Sequence, residues 1–205
     1  MDIYRHLKVT GMKAGVKNPE RVNVYVNGEF EFSLDVAQVV ELGVKVGKVI
    51  SAEELGSFKK ESEFGKLYQR TLQWVLVRPR SEKEVADYLR KKVFEKKIDK
   101  NIDGILKRLK DKGYLGDEKF AQWWVENRFT KKGVSQKRLA MELLTKGVKK
   151  EIIDEVLDAR DDTVEIRKII EKKRGKYTDE KLTAYLCRQG FSYDLVREMV
   201  GRAED

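Results

Sequence analysis

Residues that usually build catalytic and metal sites are scarce in this chain. Its 205 residues contain one histidine, one cysteine and two prolines. The single cysteine, Cys187, excludes an intramolecular disulfide, and His6 is the sole histidine, so no cysteine and histidine set can bind zinc. His6 falls in a predicted strand and Cys187 lies at helical spacing with leucines. We therefore interpret both as structural residues and not as a base or a nucleophile.

Phosphate-binding glycine loops are missing as well. The segments Gly11–Gly15 and Gly43–Gly47 lack the Gly-Lys-Ser/Thr ending that a P-loop requires. Adjacent acids occur at Glu53-Glu54 and Asp161-Asp162, but acids at helix starts are explained by the helix dipole. The sequence therefore predicts no enzymatic activity, no cofactor and no metal site.

Long hydrophobic segments are absent too. No apolar run approaches the roughly 20 residues that a membrane-spanning helix needs, and 39% of the residues are charged. The first residues lack the basic start and apolar stretch of a signal peptide. We expect a soluble cytoplasmic protein without a membrane partner.

The first part of the chain has the alternating pattern of β-strands. Asn27-Gly28 is a pair that accepts the positive φ angles of a tight hairpin turn. Because two strands are rarely stable alone, further strands are predicted at Ile3–Val9 and Val44–Ile50, with a short helix at Asp35–Leu42. The alternating apolar residues of the hairpin are Val22, Val24, Val26, Phe30, Phe32 and Leu34.

Helical spacing begins after Ser51. Ser51 with Glu54, and Ser81 with Glu84, match the capping box that opens a helix. Ser51 opens a connecting helix that leads into the first module, and the first helix of that module is predicted to end at Arg78-Pro79-Arg80, because proline moves the preceding residue out of the helical region. One face of this helix carries Phe64, Leu67, Tyr68, Thr71, Leu72 and Val75.

The helical part repeats itself. Aligning Ser135–Val148 with Thr178–Phe191 matches leucines with leucines and places Gly147 on Gly190. An earlier copy begins at Ser81, with extra residues around Phe94–Lys100 and no glycine stop. Such agreement in spacing is typical of tandem helical modules. The matched apolar residues are Leu139 with Leu182, Leu143 with Leu186, and Ile152, Ile153, Val156 and Leu157 with Leu195, Val196, Met199 and Val200; in the earlier copy Val85, Leu89, Ile105, Leu106 and Leu109 are matched with Leu139, Leu143, Ile152, Ile153 and Val156.

The predicted fold class is mostly α, with three tandem three-helix modules in an elongated curved array behind a small strand-rich N-terminal domain with a β-hairpin. The predicted domains are 1–62 (strands and a connecting helix), 63–115, 116–160 and 161–205. Helices are expected in the second module at Asp117–Arg128, Ser135–Lys146 and Lys149–Ala159, and in the third at Asp162–Arg174, Thr178–Gln189 and Ser192–Arg202.

Positive charge is confined to one section. Residues 63–160 hold 25 Lys and Arg against 16 Asp and Glu, whereas 1–62 and 161–205 are balanced, so the whole excess of nine lies in the first two modules. A solvated helical surface needs charge but not an imbalance. The excess indicates an anionic partner, and nucleic acid is the usual one.

Basic residues of this section cluster at helix ends and between helices. We call the following set the basic track and take it as the candidate DNA or partner interface, although solubility alone can explain any single cluster. A similar cluster at Lys172–Lys176 is offset by nearby acids. The basic track comprises Arg78, Arg80, Arg90, Lys91, Lys92, Arg128, Lys131, Lys132, Lys137, Arg138, Lys146, Lys149 and Lys150, with Lys96 and Lys97 as neighbours.

Aromatic residues give no sign of base-specific recognition. Trp123 and Trp124 are about 100° apart on a helix, so one is expected in the core and the other at a groove or partner. Trp74, Tyr114 and Phe129 are interpreted as packing residues. No recognition motif for a particular DNA sequence is present.

Two segments, Gly113–Phe129 (GYLGDEKFAQWWVENRF) and Ser135–Leu157 (SQKRLAMELLTKGVKKEIIDEVL), resemble the central repeat of the RecX family, bacterial regulators of the RecA recombinase. The resemblance covers roughly Leu67 to Val200. It implies binding in the groove of the RecA–DNA filament and modulation, mainly inhibition, of ATP hydrolysis, strand exchange and filament growth. Gly116 departs from the family, which usually has a second acid beside Asp117.

Three functional classes follow. The first is a monomeric RecX-like regulator whose partners are the RecA filament and single- or double-stranded DNA without sequence specificity. The alternative is a RecA-independent DNA-binding module that uses the same basic track. A protein-binding scaffold would explain the repeats but not the localised charge. The sign of the effect on RecA does not follow from the sequence.

Overall fold

The computed structural model describes residues 7–16, 18–96 and 101–201, and excludes the side chains of 95, 96 and 129–132. His6 lies outside these residues. Four strands and ten helices occur within them. They are β1 (Leu7–Ala14), β2 (Arg21–Val26), β3 (Glu29–Asp35), α1 (Val36–Glu41), β4 (Val49–Ile50), α2 (Ala52–Leu76), α3 (Glu82–Lys96), α4 (Ile102–Asp111), α5 (Asp117–Lys132), α6 (Gln136–Thr145), α7 (Lys150–Asp158), α8 (Asp162–Lys173), α9 (Asp179–Arg188) and α10 (Tyr193–Gly201).

The N-terminal strands form one antiparallel sheet in the order β3-β2-β1-β4. The predicted hairpin is confirmed, and both turn residues have positive φ, with 51° at Asn27 and 88° at Gly28. Helix α1 begins after Asp35, whose side chain and that of Gln38 complete a capping box. The apolar core of this sheet is Val9, Val24, Val26, Phe32, Leu34, Val44, Ile50 and Phe58.

Three sequence predictions for the sheet need correction. Phe30 was expected beside Phe32, but Phe32 pairs with Val24 and Phe30 with Tyr25, so Glu31 is an extra residue in β3. This bulge turns Phe30 to the opposite face, where it is 54% exposed. The described part of β1 runs to Ala14 and not to Val9, because β1 pairs with β2 along this length. Of Val44–Ile50, only Val49 and Ile50 form a strand.

Helix α2 connects the sheet with the following helices without a break. Ser51 and Glu54 form the predicted capping box at its start, with hydrogen bonds of 3.0 and 2.9 Å. Farther along, Phe58 packs in the core of the sheet, and the Ser62 hydroxyl bonds to the backbone of Ser33. The predicted boundary at residue 62 therefore falls within a continuous helix.

The chain folds as two compact units, each built from two separate stretches of sequence. The first contains Met1–Trp74 and Leu89–Ile105, and the second contains Val75–Tyr88 and Leu106–Asp205. Among the described residues, no helix is long and apolar enough to cross a membrane.

Helices α5–α7 and α8–α10 form the predicted second and third modules. In each module, the leucines matched by the repeat are at most 3% exposed. The core of the second module is Phe120, Ala121, Val125, Val134, Leu139, Leu143, Val148, Ile153 and Leu157; that of the third is Ile166, Ile169, Ile170, Leu182, Leu186, Phe191, Val196 and Val200.

The first copy of the repeat shares this pattern with one correction. Val85 and Leu89 are fully buried, as their alignment with Leu139 and Leu143 predicts. In α4, however, Ile105 and Leu109 are the buried pair. They correspond to Ile153 and Leu157, one residue later than the sequence alignment placed them, because the inserted segment before α4 obscures the register.

Candidate nucleic-acid interface

The start of α3 is joined to the second module by backbone-directed hydrogen bonds. Ser81 is fully buried, and its hydroxyl accepts from the backbone N–H of Glu84 (3.1 Å) while donating to the carbonyl of Lys146 (2.8 Å). A carboxylate oxygen of Asp117 accepts from the N–H of Glu82 at 2.9 Å. The capping of one helix is thereby shared between modules. We call this set, together with Lys83 and Thr145–Gly147, the 1–2 joint.

The second and third modules are joined in the same way. Ser135 is fully buried, its hydroxyl accepts from the N–H of Arg138 (3.2 Å), and its own N–H donates to the carbonyl of Gln189 (3.2 Å). Asp162 accepts from the N–H of Gln136 at 2.9 Å. Ser135, Gln189 and Gln136 occupy the repeat positions of Ser81, Lys146 and Glu82, and Asp162 begins α8 as Asp117 begins α5. We call this set, together with Arg188 and Gly190, the 2–3 joint.

The glycine that follows the central helix of the second and third modules has two functions. Gly147 and Gly190 have φ angles of 82° and 94°, which end α6 and α9 in the left-handed region. A Cβ atom on Gly190 would lie 2.6 Å from the Ser135 hydroxyl oxygen. A Cβ on Gly147 would lie 2.8 Å from the Cβ of Lys83. The helix stops found by sequence alignment are therefore also close-approach points between modules.

An ion-pair cluster reinforces the 1–2 joint. Glu84 accepts from Lys146 Nζ at 2.7 Å and from the Arg78 guanidinium at 3.3 and 3.4 Å. Burial alone would raise the pKa of Glu84, but hydrogen bonds from Lys146 and Arg78 outweigh it and hold this pKa below its usual value. Two cations of the basic track thus bind a carboxylate of the protein.

Glu142 forms a second cluster in the next module. Its carboxylate accepts from Arg128 in a bidentate arrangement (2.7 and 2.9 Å) and from Trp124 Nε1 at 3.0 Å, and Arg138 lies 3.5 Å away. Burial would raise the pKa of Glu142, yet the hydrogen bonds from Arg128 and Trp124 lower it overall. Because Arg138 also donates to the Arg188 carbonyl at 2.8 Å, this cluster reaches the third module.

The two tryptophans border both clusters. Trp123 and Trp124 are each partly buried against the second-module core, so the expectation of one core and one boundary residue is wrong. Their rings lie 6.2 and 5.7 Å from the Phe120 ring, which lets both pack at the edge of the core. The Arg78 guanidinium lies 5.1 Å from the Trp123 ring, and Lys146 Nζ lies 5.3 Å from Trp124.

The structure divides the basic track into groups. Exposed lysines without an ion pair among the described residues form the first group: Lys91, Lys137, Lys149 and Lys150. Cations bound to Glu84 or Glu142 form the second: Arg78, Arg128, Arg138 and Lys146. Arg80 and Lys92 are half-buried and Arg90 is exposed. The side chains of Lys131 and Lys132, like residue Lys97 and the side chain of Lys96, lie outside the described residues.

Sequence reasoning missed the acids of this site. Glu84 was interpreted as half of a capping box, and Glu142 attracted no interpretation. Local sequence patterns do not show which cations pair with these two carboxylates, since Glu84 and Lys146, for example, are 62 positions apart. Within the described residues, no group of histidine, cysteine or acidic side chains could hold a metal ion.

Two family models match the chain. The model described as "RecX, second three-helix domain" matches residues 117–157, and the model "Regulatory protein RecX N-terminal domain" matches residues 7–51. The first contains α5 to near the end of α7, with both of the joint residues Asp117 and Ser135. The second contains the four-stranded sheet.

Curated relatives and solved structures point the same way. The chain is 31% identical over 207 residues to "Regulatory protein RecX" of Clostridium perfringens, covering 95% of each sequence. It is 28% identical over 201 residues to that of Listeria welshimeri, covering 93% of this chain and 74% of the relative. A crystal structure of regulatory protein RecX aligns over 96% of this chain and 99% of its own, with a TM-score of 0.73 and 20% identity. RecX from Lactobacillus salivarius aligns over 68% of this chain and 95% of its own, with a TM-score of 0.53 and 21% identity.

Proposed function

The chain belongs to the RecX family of regulatory proteins, and from this premise we propose that it binds the RecA–DNA filament in its groove and inhibits ATP hydrolysis, strand exchange and filament growth. The observation that carries the proposal is the charge excess of residues 63–160. This excess supports an anionic partner for the same helices that carry the family's repeat.

The exposed lysines are the best candidates for phosphate contacts. Lys149 and Lys150 lie together at the start of α7, and Lys137 is exposed on α6. In contrast, the cations held by Glu84 and Glu142 would have to exchange one anion for another before binding a phosphate. The free lysines therefore neutralise DNA charge at a smaller cost, while the paired cations hold the modules together.

Regulation of a filament requires a preference for one of its states. A protein that binds two filament states equally cannot shift their balance, whatever its affinity. Modules fixed to one another by repeated joints can present several contacts at a set spacing, and a filament offers repeated binding surfaces. The proposed inhibition thus comes from differential binding and needs no catalytic residue.

Hydrolysis of ATP by RecA on single-stranded DNA provides the test. We expect suppression at ratios well below one protein per RecA, because a filament couples many protomers. Lys149→Glu with Lys150→Glu should weaken the suppression. The helix dipole stabilises acidic side chains at the start of α7, so the double substitution should retain this helix. Lys8→Glu with Lys45→Glu changes two exposed lysines outside the charged section by the same charge and serves as control.

DNA titration without RecA separates the proposal from the alternative of a RecA-independent DNA-binding module. If about five phosphates are neutralised, the logarithmic salt slope on single strands should be about −3.5. Strong salt-dependent DNA binding combined with unchanged RecA hydrolysis, even at equimolar protein, would favour the alternative. If the protein shows neither DNA binding nor an effect on RecA hydrolysis, a protein-binding scaffold is the class that is left.

A further inference from the structure

A turn in the third module presents an aromatic ring among basic residues. Helix α8 ends at Lys173 with Arg174 as its C-cap, Gly175 has a φ of 82°, and the N–H of Lys176 donates to the carbonyl of Lys173 at 3.0 Å. This tight turn places Tyr177 immediately before α9. Tyr177 is 39% exposed.

The Tyr177 ring is fixed from within the module. The Lys173 ammonium lies 4.7 Å from the centre of the Tyr177 ring and 4.3 Å from that of Tyr185. The two ring centres are 6.3 Å apart with an interplanar angle of 51°. An exposed ring with such support loses little conformational freedom when a second flat group stacks on it.

Unpaired cations adjoin Tyr177 in the chain. Lys172, Arg174 and Lys176 are exposed, and among the described residues none of them forms an ion pair. The acids near them are also exposed, namely Glu171, Asp179 and Glu180. The turn itself, from 172 to 176, contains four basic residues and no acid.

The equivalent corner of the second module is closed. Val134 occupies the repeat position of Tyr177 and is 2% exposed, with its carbonyl accepting from Arg160 at 3.1 Å. Gly133 stands in place of Lys176, and a Cβ atom there would lie 2.7 Å from Ile169 of the third module. Packing between modules thus explains a small apolar residue at this corner of the second module, whereas Tyr177 at the equivalent corner of the third is 39% exposed.

We propose that Tyr177, with Lys172, Arg174 and Lys176, forms a binding site for single-stranded nucleic acid. A base stacks on the Tyr177 ring while the adjoining phosphates contact the three cations, a combination that single-strand binding proteins use. The inference deepens the proposed function by naming a point of strand contact outside the basic track. It rests on the DNA part of that function and not on RecA.

Base stacking on Tyr177 would distinguish single-stranded nucleic acid from other anionic ligands. In a duplex the faces of the bases are covered by their neighbours, so a tyrosine platform contributes nothing unless a base is displaced. An acidic polypeptide would contact the cations but has no flat group for the ring. Loss of the ring should therefore weaken binding to single strands selectively.

Affinity for an oligothymidine and for a blunt duplex of equal charge tests this selectivity. We expect Tyr177→Ala to weaken oligothymidine binding about fivefold or more, given the usual contribution of one base stack, and to leave duplex binding unchanged. Tyr177→Phe keeps the ring and should retain most affinity. Tyr193→Ala removes another exposed tyrosine of the same module, 58% exposed on α10, and should have no effect.

Two further measurements use the unaltered protein. An oligothymidine carrying 5-iodouracil should photo-crosslink to Tyr177, located by peptide mapping. Polyglutamate should compete with the oligothymidine poorly. The proposal is overturned if Tyr177 is not among the cross-linked residues, if Tyr177→Ala weakens duplex binding equally, or if polyglutamate displaces the strand as well as DNA does. Loss of binding in Lys149→Glu with Lys150→Glu, but not in Tyr177→Ala, would retain the proposed function and reject this site.

Discussion

The 1–2 joint and the 2–3 joint share their backbone geometry but differ in side-chain charge. In both, a buried serine caps one helix and donates to the C-cap carbonyl of the next module's central helix, through the hydroxyl of Ser81 and the backbone N–H of Ser135, while an aspartate accepts a backbone N–H. The ion pair of Glu84 with Lys146 is replaced at the equivalent positions by Arg138 and Gln189. There, Arg138 donates to the Arg188 carbonyl instead.

This comparison separates what the repeat conserves from what it varies. Backbone contacts depend on helix ends, which every module must have, so they recur with the repeat. Charged contacts depend on individual side chains, so the charge at an equivalent position can differ between the two joints. We therefore expect backbone-directed groups to determine whether modules dock, and charged groups to adjust how strongly they do so under given solvent conditions.

The largest effect should come from Gly190→Ala. An alanine there combines an unfavourable positive φ with close approach to Ser135, and we expect a loss of about 3 kcal/mol in unfolding free energy. Gly147→Ala should cost a similar amount at the 1–2 joint. Urea denaturation measures both changes.

Gly175→Ala is the matched control for the glycines of the joints. Gly175 has a φ of 82°, but a Cβ atom on it would meet nothing within 4 Å. Its replacement should cost only the backbone preference, about 1–2 kcal/mol. Equal losses at Gly175 and Gly190 would show that these glycines terminate helices without shaping the joints.

Replacing the aspartate of a joint should cause an intermediate loss of unfolding free energy. Burial raises the pKa of Asp162, although the N–H of Gln136 acts against the shift. Asp162→Ala leaves that N–H without its acceptor and should cost about 1–2 kcal/mol, whereas Asp162→Asn keeps an acceptor and removes the buried charge. Hydrogen exchange of the Gln136 amide should accelerate in the alanine variant alone, with the Glu82 amide unchanged as the internal reference.

The pH dependence of the unfolding free energy should distinguish Asp117, whose pKa is raised, from Glu84 and Glu142, whose pKa values are lowered. Burial raises the pKa of Asp117, so its charge costs stability at neutral pH, and this cost is relieved as pH falls through the raised value. Glu84 and Glu142 have lowered pKa values, so their stabilisation is present above the ordinary value of 4.5 and is lost as pH falls below it toward the folded-state value.

The smallest effect should therefore be seen in Glu142→Gln. We expect this substitution to lower the unfolding free energy by about 1 kcal/mol at neutral pH, and the loss should diminish as the pH falls below 4.5. Asp117→Asn should show no such acid-dependent loss. Unfolding free energies of both variants, measured between pH 3 and 7, test this difference. A pH-independent cost for Glu142→Gln would mean that Glu142 contributes through packing and not through its charge.

Local patterns predicted much of the fold. The Asn27-Gly28 turn, the start of α2 at Ser51 and the glycine stops at Gly147 and Gly190 all rest on neighbours in sequence, and each is confirmed. The mostly α fold class with tandem modules is confirmed as well. Phe30 was misplaced because a single bulged residue reverses every side chain beyond it, and alternation gives no warning of a bulge.

The candidate site was less predictable. Counting charge located an excess but could not tell Lys149 from Lys146, which differ only in that a distant carboxylate pairs with one of them. Likewise, Asp117 attracted attention only as a helix start, although its oxygen contacts a backbone N–H 35 positions earlier. Such contacts depend on how modules dock, and no window of sequence contains both partners.

The shared joint geometry also bears on how such a chain can change length over evolutionary time. The second repeat carries both halves of a joint, since its central helix starts with Ser135, which the third module covers, and is followed by Gly147, which meets the first module. An in-frame duplication of the second repeat would therefore supply a complete new contact, and its deletion would leave the serine start of α3 and the glycine stop of α9 as compatible ends. Gene copying alone can thus lengthen or shorten the array without inventing a new surface.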